Sequence, residues 1–286
     1  MANKLTIEQL IKRSIQQLDL AHSYSGETAK LDVEILLAHV LGVNIPYFYT
    51  WPEKELSTDD IEQFLVLLNQ RMEGKPIAYI LGYQAFWAFD LEVSDSTLIP
   101  RADTEILVET GLALIDAIEA PKVLDLGTGT GAVALALAYE RKKSYVEAVD
   151  LVEDAVALAK RNNEKLGLNV QIQQSNWFAS IQTNDFNLIV ANPPYIDPQD
   201  HHLDQGDLRF EPRTALISDK NGYADIELIA DQARQYLKSG GWLAFEHGFE
   251  QGNQARHILA KYGYQSIETR KDYGGNDRVT LGAYFK

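Results

Sequence analysis

Apolar residues recur at helical spacing from the start of the chain: Leu5, Leu10, Ile11, Ile15 and Leu18 form one stripe, with Thr6 placed to cap it. Leu31, Ile35, Leu36, Ala38 and Val40 predict a second helix that stops near Gly42. Ser57-Thr58-Asp59-Asp60 opens a third, striped by Ile61, Phe64, Leu65 and Leu68 and ended by Gly74-Lys75-Pro76. Residues 1–75 are therefore expected to form a small helical domain. Residues 76–100 are aromatic and β-branched, with partial alternation at Phe86, Ala88 and Val93, and predict a β-hairpin linker. A helix follows, with Asp103 or Thr104 as N-cap and Ile106, Leu107, Leu112, Leu114 and Ile115 toward a core. From Lys122 onward strands and helices alternate: strands at 123–126, 145–149, 170–174, 186–191, 242–246, 264–268 and 279–285, helices at 132–140, 153–166, 225–238 and 250–261. That rhythm predicts an α/β domain over 101–286 with a mainly parallel sheet covered on both faces. The stretch 272–277 is too short for a crossover helix, so the final strand is expected to run antiparallel.

Composition narrows the functional classes. The 286 residues are 45% hydrophobic and 23% charged, as in ordinary globular proteins. The net charge is −15, with acidic excess in both halves, which disfavours a large nucleic-acid footprint. With no cysteine, disulfides, thiol catalysis and Cys-ligated metal centres are excluded. No apolar signal core opens the chain and no run of eighteen apolar residues occurs, so a soluble, cytoplasmic protein without membrane partners is expected.

The stretch Val123-Leu124-Asp125-Leu126-Gly127-Thr128-Gly129-Thr130-Gly131 is a strand entering a glycine turn, where a ligand can approach the main chain closely. Asp150, 19 residues after Gly131, ends the next strand, where α/β nucleotide folds place the acid that binds ribose hydroxyls. Two ligands compete. With Ala132 the loop satisfies the dinucleotide pattern G-x-G-x-x-G/A, while Asp125-Leu126 and the G-x-G-x-G spacing resemble the first motif of S-adenosylmethionine methyltransferases. After the third strand, Asn176 offers an amide oxygen to an adenine amino group and Trp177 a flat face to the ring; a capped turn with a core tryptophan is the plainer alternative.

The buried strand 186–191 runs directly into Asn192-Pro193-Pro194-Tyr195. Each proline keeps its predecessor extended, and Pro193 has no N–H, leaving its carbonyl as an acceptor beside the Asn192 amide. A planar NH₂ group has two donors, and this turn offers two stiff acceptors. Gripping both N–H bonds orients the nitrogen and stabilises the charge that develops on it during attack. A sulfonium methyl donor is already activated, so neither a metal nor a strong base is required. A dehydrogenase has no use for such a clamp, which favours the methyltransferase reading.

These motifs resemble the HemK/PrmC family, the release-factor glutamine methyltransferases. PIAYILG at 76–82, LIPR at 98–101, VLDLGTGTGAVALALA at 123–138, NPPYI at 192–196 and RFEPRTAL at 209–216 carry the resemblance. NPPY alone is shared with enzymes that methylate amino groups of nucleic-acid bases. The resemblance implies a seven-stranded, Rossmann-like class I S-adenosylmethionine-dependent methyltransferase domain behind a small N-terminal helical bundle and hairpin linker. It implies transfer of one methyl to the glutamine amide in the Gly-Gly-Gln loop of peptide chain release factors, with S-adenosylhomocysteine as product and the helical domain helping to dock the partner. By motif match Gly127, Thr128, Gly129, Thr130, Gly131, Asp150, Trp177 and Asn192 bind cofactor. Asn192, Pro193, Pro194 and Tyr195 bind the substrate amide, and Asn192, Pro193 and Tyr195 are catalytic. The family usually carries Asp where Asn176 stands, and Pro-Glu where Ala102-Asp103 stand.

Other residues stay open. Arg101 is expected either near the cofactor or in a salt bridge to the sheet domain. Glu246 either assists substrate binding or is a paired carboxylate, and Arg209 and Arg213 either contact the partner or tie down the loop after the Asn-Pro-Pro-Tyr turn. His201-His202, adjacent in a loop, are a poor metal site, and none is expected. A methyltransferase for nucleic-acid amino groups and a non-catalytic nucleotide-binding module are the alternatives.

Overall fold

The structure, a computed structural model, describes residues 5–21 and 26–286, with side chains for all of these except 26, 27 and 202. The chain forms two compact units, one built from the segment up to Gly82 together with residues 204–210, the other from 83–203 and 211–286.

Five α-helices are described in the first unit: α1 (Ile7–Ala21), α2 (Gly26–Leu41), α3 (Pro46–Thr50), α4 (Thr58–Met72) and α5 (Ile77–Leu81). Thr6 caps α1 reciprocally: Gln9 N–H donates to Thr6 Oγ1 and Thr6 N–H to Gln9 Oε1, both at 3.3 Å. Ser57 Oγ accepts from Asp60 N–H at 3.1 Å and opens α4. The core gathers Ile7, Leu10, Leu18, Leu36, Phe64 and Leu68. Three expected stripe residues miss it: Ile35 is only partly buried outside the cluster, and Leu31 and Leu65 are exposed, while Val33 and Leu37 take up the buried face of α2. The reason is geometric: a helix buries an arc of its circumference, and those two leucines stand just past its edge. The buried Arg71 donates through Nε to Asp32 Oδ2 at 2.7 Å and through Nη1 to Asp207 Oδ1 at 3.1 Å, tying 204–210 to the helices. Burial pushes the Asp32 carboxyl up, and the guanidinium opposes it.

The second unit opens with the hairpin of β1 (Tyr83–Phe86) and β2 (Phe89–Glu92). It is fastened by Asn162, whose Oδ1 accepts from Glu92 N–H at 2.8 Å and whose Nδ2 donates to Glu92 O at 3.0 Å. Phe86 and Leu91 join the core of this unit. α6 (Glu105–Leu114) follows a 3₁₀ turn at Ala102–Thr104. Here the expected cap fails: Thr104 makes no capping bond, and Asp103 turns to Arg278 at 3.2 Å. The remaining elements run β3 (Lys122–Leu126), α7 (Ala132–Glu140), β4 (Tyr145–Asp150), α8 (Glu153–Lys165), β5 (Gln171–Gln174), β6 (Phe186–Ala191), α9 (Asp219–Gly222), α10 (Ala224–Tyr236), β7 (Leu237–Glu246), α11 (Gly252–Lys261), β8 (Gln265–Lys271) and β9 (Asp277–Tyr284).

These seven strands lie in the order β5-β4-β3-β6-β7-β9-β8. β5 through β7 are parallel, and β9 is antiparallel to both its neighbours, as the short connection requires. Every residue of β6 is buried, as suits a central strand covered on both faces. Leu107, Val133 and Val156 belong to one core cluster, Ile226, Ile229 and Ile258 to another. β7 begins five residues earlier than Trp242, because Gly240 and Gly241 carry no side-chain pattern to read. A Cβ on Gly241 would lie 2.7 Å from the Phe186 carbonyl oxygen, so the two backbones approach closely there.

Candidate active site

The carboxyl ends of β3, β4 and β6 converge on a cleft of about 290 Å³, near the lower end for small-ligand sites. Beyond β3 the chain turns through residues 127–131 into α7. Gly131 has φ +88°, and a Cβ there would meet Leu135 Cδ1 at 2.8 Å, so its absence lets the helix start against the turn. Gly129 has φ +55°, and a Cβ there would meet nothing nearer than Thr97 at 3.9 Å, so the backbone opens to the cleft. Asp125 is fixed beneath: its Oδ2 accepts from Thr128 Oγ1 at 2.7 Å and from Ala134 N–H at 3.2 Å. Burial pushes its carboxyl up to about 6 against those two donors.

Asp150, at the end of β4, accepts from Gly129 N–H through Oδ2 at 2.8 Å and from Val152 N–H through Oδ1 at 2.9 Å. Burial raises its pKa and these donors oppose the rise. A carboxylate has about four acceptor sites, so lone pairs remain for a diol. Trp177 closes on Gly127, where a Cβ would stand 3.5 Å from its ring. Its position is set by Ser175, whose Oγ donates to Trp177 O at 2.8 Å and accepts from Ser180 N–H at 2.9 Å.

Asn192 follows the buried β6 and donates through Nδ2 to Thr104 Oγ1 at 3.3 Å. The turn is braced from several sides. Ile196 N–H donates to Leu216 O at 2.9 Å, and Ser218 N–H to Ile196 O at 3.0 Å. Gln251 Nε2 donates to Tyr195 O at 3.0 Å, and a Cβ on Gly222 would overlap that same carbonyl oxygen. Tyr195 donates its hydroxyl to Glu246 Oε1 at 3.3 Å. Glu246 is 1% exposed, and its Oε2 has no hydrogen-bond partner. Burial pushes the Glu246 carboxyl up to about 7, opposed by the Thr104 hydroxyl, the Arg278 charge and the Tyr195 hydroxyl and reinforced by Asp103.

Of the residues singled out from the sequence, Gly127, Thr128, Gly129, Thr130, Asp150, Trp177, Asn192 and Pro194 line this one cleft, together with Asn176. Gly131, Pro193 and Tyr195 do not line it: Gly131 begins the helix, Pro193 is buried, and Tyr195 faces Glu246. Arg101 makes the salt bridge, with Nη2 2.5 Å from the buried Glu211 Oε1. Arg209 bonds Gly206 O at 3.0 Å and stacks on Phe210, within the helical unit. Sequence reasoning missed Thr104, Thr214 and Asp225, which also line the cleft. Thr214 sits in the RFEPRTAL block and Thr104 just past LIPR, so the blocks were the available signal. Among the described residues no group of three or more His, Asp or Glu could hold a metal ion, and the His202 side chain lies outside the described residues.

The lining contains three carboxylates, Asp125, Asp150 and Asp225, and no Lys or Arg. Such a wall suits a cationic ligand better than a pyrophosphate. The Gly129 N–H, a loop donor that a dinucleotide phosphate could use, is already taken by Asp150.

Residues 9–82 match the family model of the PrmC N-terminal domain, and residues 102–208 that of the methyltransferase small domain. A release factor glutamine methyltransferase from Aliivibrio fischeri is 50% identical, over 98% of this chain and 98% of that protein. The protein of the same name from Escherichia coli is 47% identical, over 96% of this chain and 98% of its own length. In fold, a methyltransferase from Pyrococcus furiosus aligns with TM-score 0.52 at 19% identity, covering 76% of this chain and 98% of that one. The catalytic domain of hMettl16, solved with an RNA hairpin, aligns with TM-score 0.54 at 14% identity, covering 80% and 83%.

Proposed function

The chain belongs to the release factor glutamine methyltransferase family, and on that premise we propose that it transfers one methyl group from S-adenosylmethionine to the side-chain amide nitrogen of the glutamine in the Gly-Gly-Gln loop of peptide chain release factors. The observation that carries this reading is the meeting of Asn192 with Asp150 and the glycine turn on one acidic cleft.

Bound there, S-adenosylmethionine supplies a methyl group on a positively charged sulfur. Asp150 accepts from the ribose hydroxyls with the lone pairs its backbone donors leave free. Trp177 packs on the adenine, and the Asn176 amide oxygen accepts from the adenine amino group. The acidic wall of Asp125 and Asp225 favours the cation before transfer over the neutral thioether after it. The Asn192 Oδ1 accepts one N–H of the glutamine amide, with Pro194 forming the adjoining surface. The Pro193 carbonyl, expected as the second acceptor, belongs to a buried residue outside the cleft lining, and Tyr195 braces the turn from behind through Glu246. In the transfer the N–C bond forms as the S–C bond breaks. The alkylated nitrogen, now acidic, gives a proton to solvent, and S-adenosylhomocysteine remains. Holding nitrogen, carbon and sulfur in line supplies much of the rate, on the order of 7–11 kcal/mol for well-oriented pairs.

The helical part expected over 1–75 acts as the docking part for the release factor; it extends through α5 to Gly82, so within 76–100 the hairpin proper is Tyr83–Glu92, and the sheet unit acts as the transferase. On this reading the reaction belongs to the cytoplasm, with the translation machinery. No helix among the described residues is long and apolar enough to cross a membrane. The decisive experiment is mass analysis of release-factor peptides after incubation with enzyme and cofactor. One added methyl on the Gly-Gly-Gln glutamine is expected; methyl appearing in RNA or DNA instead overturns the reading.

A further inference from the structure

We propose that Thr104 is a positioning residue for methyl transfer: its hydroxyl fixes which way the Asn192 carboxamide faces, and the buried carboxylate of Glu246 takes the Thr104 hydrogen. The inference deepens the function proposed above and rests on it for its kinetic arm.

A carboxamide can rotate by half a turn and exchange its acceptor for its donors. For Asn192 that exchange is decisive. With Oδ1 toward the substrate it accepts an amide N–H. Flipped, it sets one NH₂ against another, and the grip is lost. Nothing in Asn192 itself selects the right face, because a hydroxyl neighbour can either donate to Oδ1 or accept from Nδ2. The choice depends on where the single hydrogen of Thr104 goes.

The structure supplies the answer from beneath the turn. Thr104 is 4% exposed and its side chain makes no capping bond to α6, so the hydroxyl is not spent on the helix. Its Oγ1 accepts from Asn192 Nδ2 at 3.3 Å, which leaves the hydroxyl hydrogen in need of an acceptor. The Thr104 hydroxyl is among the groups that favour the ionised form of Glu246. One Glu246 oxygen already receives Tyr195 at 3.3 Å; the other, Oε2, is buried with no partner. An orphaned carboxylate oxygen in the interior is costly, and a hydroxyl hydrogen turned to it removes the cost. With Glu246 ionised, as it is above about pH 7, and that hydrogen drawn down, Thr104 presents only lone pairs to Asn192. The NH₂ then turns to Thr104 and Oδ1 is left for the substrate. Polarity thus passes from Glu246 through Thr104 to Asn192.

Thr104→Val keeps the shape and removes the hydroxyl; Thr104→Ser restores it. In the full chain, kcat for release-factor methylation by Thr104→Val is expected to fall about ten- to a hundredfold, the effect of one lost polar contact. KM for the release factor and Kd for S-adenosylmethionine are expected to stay within about twofold, and Thr104→Ser to recover to within about threefold of wild-type kcat. A second arm needs no turnover. The Asn192 Nδ2 protons, assigned by their absence in Asn192→Ala, are expected to exchange with solvent at least about tenfold faster in Thr104→Val than in wild type or Thr104→Ser. Unchanged kcat in Thr104→Val, a loss confined to cofactor affinity, a Ser variant as impaired as Val, or unaltered Asn192 exchange overturns the assignment. Should the wild-type protein leave release factor unmethylated, the proposed function falls, and the exchange arm alone decides Thr104.

Discussion

At the scale of single residues the site is a set of polar atoms held by backbone. Asn192→Ala removes the proposed acceptor and leaves Asp150, the glycine turn and Trp177 intact. Methyl transfer is expected to fall on the order of 10²–10³-fold, with cofactor Kd nearly unchanged by calorimetry. Glu246 gives a pH signature. Its carboxyl sits near 7 in the fold, above the ordinary 4.5, so between those values the native state holds a proton that the unfolded chain has released. Stability contributed by this group is therefore greatest below about 4.5 and declines as pH rises through about 7. The groups facing it are Arg278 and Tyr195, Asp103 on the opposing side, and the Thr104 hydroxyl. Glu246→Gln should abolish that decline, a difference of roughly 1–3 kcal/mol between pH 5 and 8 in denaturant unfolding. Parallel pH profiles for the two proteins would count against it. Much of the lining of this cleft was legible in sequence because glycine and proline tie residue type to backbone shape. Thr104 was not, because its partner Asn192 is 88 residues away and a threonine ahead of a helix reads first as a cap.

At the scale of elements, periodicity read best where one face is buried and side chains mark it. The caps at Thr6 and Ser57 and the buried strand β6 were plain for that reason. The start of β7 was hidden, since the fit of Gly241 against Phe186 O depends on a missing side chain. The segment 216–222 shows another such dependence: Gly222, with φ +83°, lies against the Tyr195 carbonyl that Gln251 also holds. Gly222→Ala is expected to lose about 1–3 kcal/mol in stability from left-handed strain and overpacking. It should also lower methyl transfer, since the displaced oxygen belongs to the Asn-Pro-Pro-Tyr turn proposed to hold the substrate amide. Wild-type stability and turnover in that variant would show that the turn tolerates displacement.

At the scale of the whole molecule the described residues form three hydrophobic core clusters, one in the helical unit and two in the sheet unit. Arg71 belongs to the helical one, and its removal leaves Asp32 buried without its nearest cation. Arg71→Ala is expected to cost about 3–5 kcal/mol there. Calorimetry should show the helical transition lowered, while S-adenosylmethionine still binds within about twofold of wild type; a matching loss of cofactor affinity would mean that the two units do not behave separately. The placement of β9 has a further consequence for how the sheet comes into being. β8 precedes β9 in the chain, yet β9 alone stands between it and β7. During synthesis β8 emerges with no neighbour to pair with, beside a β7 whose open margin awaits a later segment. Its residues are mostly exposed, and Glu268, Arg270 and Lys271 stud it with charge. Those charges guard a strand that must wait alone, discouraging union with another nascent chain until its own partner arrives.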